Sequence, residues 1–207
     1  MSERTLANQS FSRRGFIAVA GTSLGGVSLL SACGDSSANA ETADFGSGDA
    51  GILNYLLTLE YTLADFYTQL KASNLFNAAE RKGLWEFGEE EEEHADAIVR
   101  QLKKLSADPV AKPKTTFALK TDADTLEIAN TLENTIAAAY LGQLPHVQGA
   151  SLRQKLVEIH SVEGRHAASI AYLQEEPVTP DGAFAKPATV EGVMKTMKPY
   201  LGESASA

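Results

Sequence analysis

Apolar residues recur every three or four positions from about residue 50 to residue 175, with few glycines or prolines between them. This spacing is typical of amphipathic helices that bury one face in a bundle. Four such helices are predicted, and the stripe of each is apolar except near its middle. The stripes are Leu53, Leu56, Glu60, Leu63, Tyr67 and Leu70; Leu84, Phe87, Glu91, His94, Ile98, Leu102 and Leu105; Leu126, Ala129, Glu133, Ile136 and Tyr140; and Leu152, Leu156, Ile159, Glu163, His166, Ile170 and Leu173.

The connections between these helices indicate their arrangement. Short turns near residues 73–76 and 145–150 predict two antiparallel hairpins. Residues 106–122, which include Pro109 and Pro113, reach roughly 55 Å when extended, whereas a 25-residue helix is roughly 38 Å long. We therefore predict an all-α four-helix bundle in which a long crossover joins the two hairpins.

Two helix starts carry a capping pattern. Asn77 with Glu80 and Ser151 with Gln154 each place a polar cap three residues before a side chain that can bond back to it. We expect a capping box at the second and fourth helices.

The two hairpins also resemble each other in sequence. The pattern T-L-E-x-T-(L/I)-A-x-x-Y occurs at residues 58–67 and again at residues 131–140. The pattern E-x-x-H-A-x-x-I occurs at residues 91–98 and again at residues 163–170. We interpret this as an internal duplication.

The polar positions of the stripes are predicted to meet. Residues equidistant from a hairpin turn face each other, and side chains three apart on a helix lie on the same face. The candidate metal ligands that these rules bring to the bundle centre are Glu60, Glu91, His94, Glu133, Glu163 and His166.

A single E-x-x-H pattern is a weak signal here, because it lies in the acidic run 89–93. The stripe distinguishes the members of that run. Only Glu91 falls on the buried stripe, whereas Glu92 and Glu93 point roughly 100° and 200° away from it. The recurrence of the pattern in the second hairpin then favours a site over a solvated helix face.

Burial of four carboxylates needs compensation. Without partners each would cost several kcal/mol, and a domain is stable by only roughly 5–15 kcal/mol in total. Shared protons would offset part of this cost. Two divalent cations would balance the four negative charges, and oxygen and nitrogen donors suit iron or manganese, with zinc as an alternative.

With these motifs the chain resembles the ferritin-like superfamily, and within it the exported ferritin-like domain family that includes desiccation-related proteins. The resemblance covers about residues 49–175. It implies a di-iron or di-manganese site with Glu91 and Glu163 as bridging ligands, Glu60 and Glu133 as terminal ligands, and one histidine on each ion. It also implies either redox activity toward O2 or peroxide, or non-catalytic metal binding in envelope stress protection.

Three more residues are candidates for supporting such a site. His160 lies near Glu163 on its helix, where it either supports the ligands from behind or is an exposed histidine. Tyr67 and Tyr140 lie about 10 Å along the axis from the glutamate of their own helix, too far to bind its metal. They are interpreted as core aromatics, with a hydrogen-bonding or radical role left open.

The N-terminal segment resembles an export signal. Arg13 and Arg14 precede a mild apolar run that is too short and polar to span a bilayer, a pattern similar to twin-arginine signals, which implies the twin-arginine translocase as a partner. The run closes on a lipobox-like sequence, so we expect lipidation at Cys33 and attachment to an envelope membrane. The alternative is cleavage after Ala40, which would give a soluble periplasmic protein.

These signals divide the chain into four parts. Residues 1–32 are the predicted signal, 33–48 a flexible tether, 49–175 the bundle, and 176–207 a tail with a short helix.

Composition removes other classes of function. The 207-residue chain carries a net charge of −9 and no basic block, so no nucleic-acid partner is expected. Its single cysteine excludes an internal disulfide and any four-cysteine metal site.

Overall fold

The computed structural model describes residues 44–202. The proposed export signal with Arg13 and Arg14, the lipidation site Cys33 and the alternative cleavage site after Ala40 lie outside these residues. The described part contains α1 (Gly48–Ala72), α2 (Ala78–Lys104), α3 (Asp122–Gln143), a 3-10 turn (Leu144–His146), α4 (Ala150–Leu173) and α5 (Val190–Met197).

The described residues form a helical bundle, which confirms the predicted all-α class. Helices α1 and α2 pack as one antiparallel hairpin, and α3 and α4 pack as the other. Between the hairpins, α1 contacts α3 and α2 contacts α4. Most residues of the predicted stripes form the core, and α1 is its most enclosed helix, with Ile52, Leu56 and Leu59 fully buried. The stripe prediction is wrong for Leu105 and Leu173, which are 47% and 42% exposed because they lie where α2 and α4 end.

The crossover, residues 105–121, runs alongside α1 from one end of the bundle to the other. Near the start of α1, the Asn54 side chain accepts a hydrogen bond from the Val110 backbone N–H at 2.9 Å. Further along, Gln69 donates to the Thr115 hydroxyl at 3.2 Å. Beyond the end of α1, the Phe76 N–H donates to Asp122. The extended segment therefore places the start of α3 beside the turn between α1 and α2.

One of the two predicted caps is present. The Asn77 side chain accepts from the N–H of Glu80, whose carboxylate accepts from the N–H of Asn77, so the first capping box is confirmed. The second is wrong, because α4 begins at Ala150 with Gly149 as its cap and no side-chain hydrogen bond. The turn is held instead by Asp49, which accepts from the N–H groups of Gln148 and Gly149.

The residues after α4 return to the bundle. Val190, Val193 and Met197 of α5 are buried, and α5 packs against α3. Beyond α5, an isolated antiparallel bridge pairs Leu201 with Thr115 of the crossover.

At the other end of the described chain, Phe45 packs its ring against Tyr55, with ring centroids 5.5 Å apart. None of the helices between residues 44 and 202 is both long and apolar enough to cross a bilayer.

Candidate metal centre

The six predicted ligands come together at mid-height in the bundle. Each hairpin contributes one glutamate from its first helix and an E-x-x-H pair from its second. The four glutamates are fully buried, and His94 and His166 are only 9% and 2% exposed. The helical period explains the placement, because each ligand replaces an apolar residue on a stripe that already faces the core.

The side chains form two overlapping groups that could hold an ion. In each group, one ligand atom per residue lies within 4.8 Å of the others. One group adds Glu60 and His94 to Glu91 and Glu163. The other group adds Glu133 and His166 to the same two glutamates. Glu91 and Glu163 thus belong to both groups.

The donor atoms face a common centre. His94 Nδ1 lies 2.8 Å from Glu163 Oε1 and 3.7 Å from Glu60 Oε2. His166 Nδ1 lies 2.8 Å from Glu91 Oε1 and 3.6 Å from Glu133 Oε2. Both imidazoles therefore turn the same ring nitrogen toward the carboxylates.

Several carboxylate oxygens in this cluster lack the partners that burial demands. Glu60 Oε2, Glu133 Oε2 and both oxygens of Glu163 are buried without a hydrogen bond of acceptable geometry. Glu163 Oε1 is close to His94 Nδ1, but the contact lacks hydrogen-bond geometry. Orphaned buried oxygens are rare because each costs free energy. Their convergence with two imidazole nitrogens fits a pair of cations.

The second carboxylate oxygen of Glu60 and that of Glu133 each accept a hydrogen bond from a tyrosine of the facing helix. The Tyr67 hydroxyl of α1 donates a hydrogen bond to Oε1 of Glu133 in α3. The Tyr140 hydroxyl of α3 donates to Oε1 of Glu60 in α1. Each tyrosine thus reaches the glutamate of the opposite hairpin, and both are hydrogen-bonding partners of the candidate ligands.

Burial and mutual repulsion also shift the acid–base properties of the cluster. Burial raises the pKa of Glu91 to about 8, against the opposing hydrogen bonds from His166 and His94. Burial likewise raises the pKa of Glu163 well above its usual range, and the charges of Glu91 and Glu60 add to this.

The imidazoles shift in the same direction for a different reason. Burial lowers the pKa of His166, but the nearby carboxylates of Glu133 and Glu91 outweigh it and raise the pKa to about 11. The carboxylates around His94 raise its pKa in the same way against the effect of burial. A cluster without metal therefore retains protons in the positions where cations would otherwise compensate the carboxylates.

Within residues 44–202, no hydrogen bond or ion pair joins the third supporting candidate, His160, to the six ligands. It is half-buried on α4 and bonds to the backbone of Ala137 in α3. Burial lowers its pKa.

Sequence reasoning missed Glu90, which precedes the buried Glu91. Its Oε2 lies 2.6 Å from Nε2 of His166 across the α2–α4 interface, although its side chain is 51% exposed. The stripe gave no signal for it. The duplicated patterns show only that this position differs between the hairpins, because Val162 precedes Glu163 where Glu90 precedes Glu91.

An apolar cleft between α2 and α4 approaches the centre from outside. It has a volume of about 600 Å³, and its lining includes Leu84, Phe87, Ala168, Tyr172 and Val178. The Phe87 ring stacks on the imidazole of His166, with ring centroids 4.3 Å apart. One aromatic ring therefore separates the cleft from a candidate ligand.

The model of a family described as the ferritin-like domain matches residues 48–176. No curated protein is significantly similar to the chain.

Proposed function

Because the chain belongs to the ferritin-like domain family, we propose that it holds two divalent metal ions, iron or manganese, at its six buried glutamates and histidines. The observation that carries this proposal is the set of buried carboxylate oxygens without hydrogen-bond partners. Oxygen and nitrogen donors without sulfur favour these metals, with zinc as an alternative. In this assignment Glu91 and Glu163, which belong to both groups, would be shared by the two ions; Glu60 and His94 would complete one position, and Glu133 and His166 the other.

We propose further that the loaded protein is redox-active toward peroxide or O2. Two redox-capable ions held by these residues would supply two electrons, which with two protons would reduce peroxide to two waters or O2 to peroxide. Where peroxide is both oxidant and reductant, two molecules give two waters and one O2, so this reaction needs no other reductant.

The protein residues around the centre have two roles in this proposal. The hydroxyls of Tyr67 and Tyr140 fix one oxygen of each terminal glutamate, which leaves the other oxygen directed inward. The apolar layers above and below exclude bulk water. His94 is the most exposed of the six residues, although only 9% of it is accessible.

A second candidate function is metal binding without catalysis, as part of envelope stress protection. The complete burial of all four glutamates favours it, because a closed site limits access of a substrate. In this case the ions would serve to neutralise the carboxylates and stabilise the fold.

Metal analysis followed by a peroxide assay tests both candidates. The protein isolated from its native compartment is expected to contain about two ions per chain, and peroxide turnover should follow loading with iron or manganese. Glu91→Ala removes a ligand that both groups share, so metal content and turnover should fall together. Glu93→Ala is the matched control, because it removes the same charge from an exposed position on the same helix.

The outcomes separate the two candidates. Two bound ions without turnover of peroxide or O2, with either metal, would reject the redox proposal and leave non-catalytic binding. Protein that binds neither metal would reject both.

We also propose export of the chain through the twin-arginine translocase and its attachment to an envelope membrane at Cys33. The support is the pattern of Arg13, Arg14 and the lipobox-like sequence. Membrane fractionation tests it: Cys33→Ala should move the protein from the membrane to the soluble periplasmic fraction. Wild-type protein found already in that fraction would favour cleavage after Ala40 instead.

A further inference from the structure

The two imidazoles of the metal centre are held differently. Around His166, Nδ1 faces the carboxylates, Nε2 is hydrogen-bonded to Glu90, and the ring stacks on Phe87. His94 also directs Nδ1 at the carboxylates. Its Nε2, in contrast, makes no hydrogen bond to any side chain or backbone group within residues 44–202. One ring is therefore fixed at both nitrogens and the other at one.

The duplicated sequence explains this difference. Glu91 and Glu163 are equivalent positions of the repeat, so Glu90 corresponds to Val162, one residue earlier. By the same register, Phe87 corresponds to Ile159, four residues earlier. The isopropyl side chain of Val162 cannot accept a hydrogen bond as the Glu90 carboxylate does. Each hairpin thus carries the same three types of candidate ligand at equivalent positions. The residues that support the histidines, in contrast, differ between the hairpins.

We infer that Glu90 is a positioning residue that makes the two metal positions unequal, so that the position at His166 binds its ion more tightly than the position at His94. This inference rests on the proposed function, since it concerns the affinity of the proposed ions. A carboxylate that accepts the Nε2 proton leaves the lone pair of Nδ1 free for a metal, fixes the ring orientation and raises the basicity of the ligand.

The size of the effect follows from the exposure of Glu90. Loss of such an outer partner typically lowers metal affinity about 10- to 100-fold. Glu90 is 51% exposed, so solvent weakens its interaction with His166. We therefore expect the two positions to differ in affinity by about 10-fold, the lower end of this range.

Titration of the metal-free, full-length protein with Co²⁺ tests the inference without an activity assay. Binding is followed by calorimetry and by the visible absorption of the bound ion. The wild-type protein should bind two ions in two steps about 10-fold apart in affinity. In Glu90→Leu the tighter step should weaken until the two steps merge. Glu90→Gln keeps an acceptor oxygen and should retain part of the separation.

Two further variants distinguish positioning from a general structural effect. Glu92→Leu changes an exposed glutamate on the same helix and should leave both steps unchanged. Val162→Glu supplies the missing acceptor to the other half of the centre, so the weaker step should strengthen and the steps should merge at the tighter affinity. Glu90→Leu and Val162→Glu therefore shift the merged affinity in opposite directions.

The titration can overturn the inference in two ways. Equal affinities in the wild-type protein, or an unchanged separation in Glu90→Leu, would contradict it while two bound ions left the proposed function standing. A protein that binds no Co²⁺ would overturn the proposed function and the inference together. Because Glu90 is exposed, its substitution leaves the packed core intact, and circular dichroism of each variant verifies the fold.

Discussion

The middle of the bundle and the layers on either side of it are equally buried, but burial has opposite consequences in the two regions. In the layer below the centre, Leu53 and Leu56 are fully buried, and removal of their apolar surface from water stabilises the fold. In the middle, Glu91 and Glu163 are just as buried, and their desolvation destabilises it. The comparison shows that the outer layers stabilise a centre which, by itself, depends on cations or protons.

The largest effect that separates the two regions should come from the metal itself. A ligand that binds only the folded state at a thousand times its dissociation constant stabilises by about 4 kcal/mol. Two ions should therefore add about 8 kcal/mol, an increase in melting temperature of about 20 °C for a domain of this size. Calorimetry of the metal-loaded and chelated protein measures the difference.

Removal of the metal should affect only the middle of the bundle. The chelated protein should keep its helical circular dichroism at low temperature, since the apolar layers are unaffected. Equal melting temperatures with and without metal would show that the carboxylates are compensated in another way.

The next effect should come from an outer layer. Leu53→Ala removes a fully buried side chain about two helical turns from Glu60 and should destabilise the fold by about 2–5 kcal/mol. The loss should be the same in the metal-loaded and chelated protein, because no ligand is displaced. Denaturant unfolding of both forms measures it, and a loss of bound metal at low denaturant would contradict the independence of the two regions.

The smallest effect should come from the tyrosines next to the centre. Tyr67→Phe removes the hydrogen bond to the buried Glu133 and should destabilise by about 1–3 kcal/mol, because the carboxylate loses a donor while the ring still fills its space. Metal content should remain two ions per chain. The half-buried Tyr61 supplies the control: Tyr61→Phe should change the unfolding free energy by less than about 0.5 kcal/mol.

Much of the fold and centre follows from local periodicity. The stripe that places Leu56 and Leu63 inside also places Glu60 inside, because all three repeat with the same helical period. The Asn77 capping box is equally local, since both of its hydrogen bonds join residues three apart.

The features that the sequence did not reveal depend on contacts between helices. Tyr67 is far from the glutamate of its own helix, yet it bonds to Glu133 across the α1–α3 interface. Its role depends on the axial register of two helices that are not neighbours in sequence. Glu90 reaches His166 in the same way across the α2–α4 interface. Periodicity assigns a residue to a face of its helix but does not indicate the partner of a residue at the edge of that face.

The cap of α4 shows a different limit. Ser151 and Gln154 match the capping pattern, but the helix starts earlier, at Ala150. Asp49 of α1 satisfies the N–H groups of the preceding turn, so a tertiary contact replaces the local cap. Helix starts near such contacts cannot be predicted from a local pattern.

The division of the two ligand groups between the hairpins has a consequence for the order of assembly. Each group takes residues from both hairpins, so neither hairpin alone contains a complete group. An ion bound at Glu91 and Glu163 would act as a reversible cross-link that closes a loop through the long crossover, and such closure favours the docked state over separated hairpins. Metal uptake would therefore follow the docking of the hairpins, and the compartment in which the chain completes its folding would determine which ions are available to it.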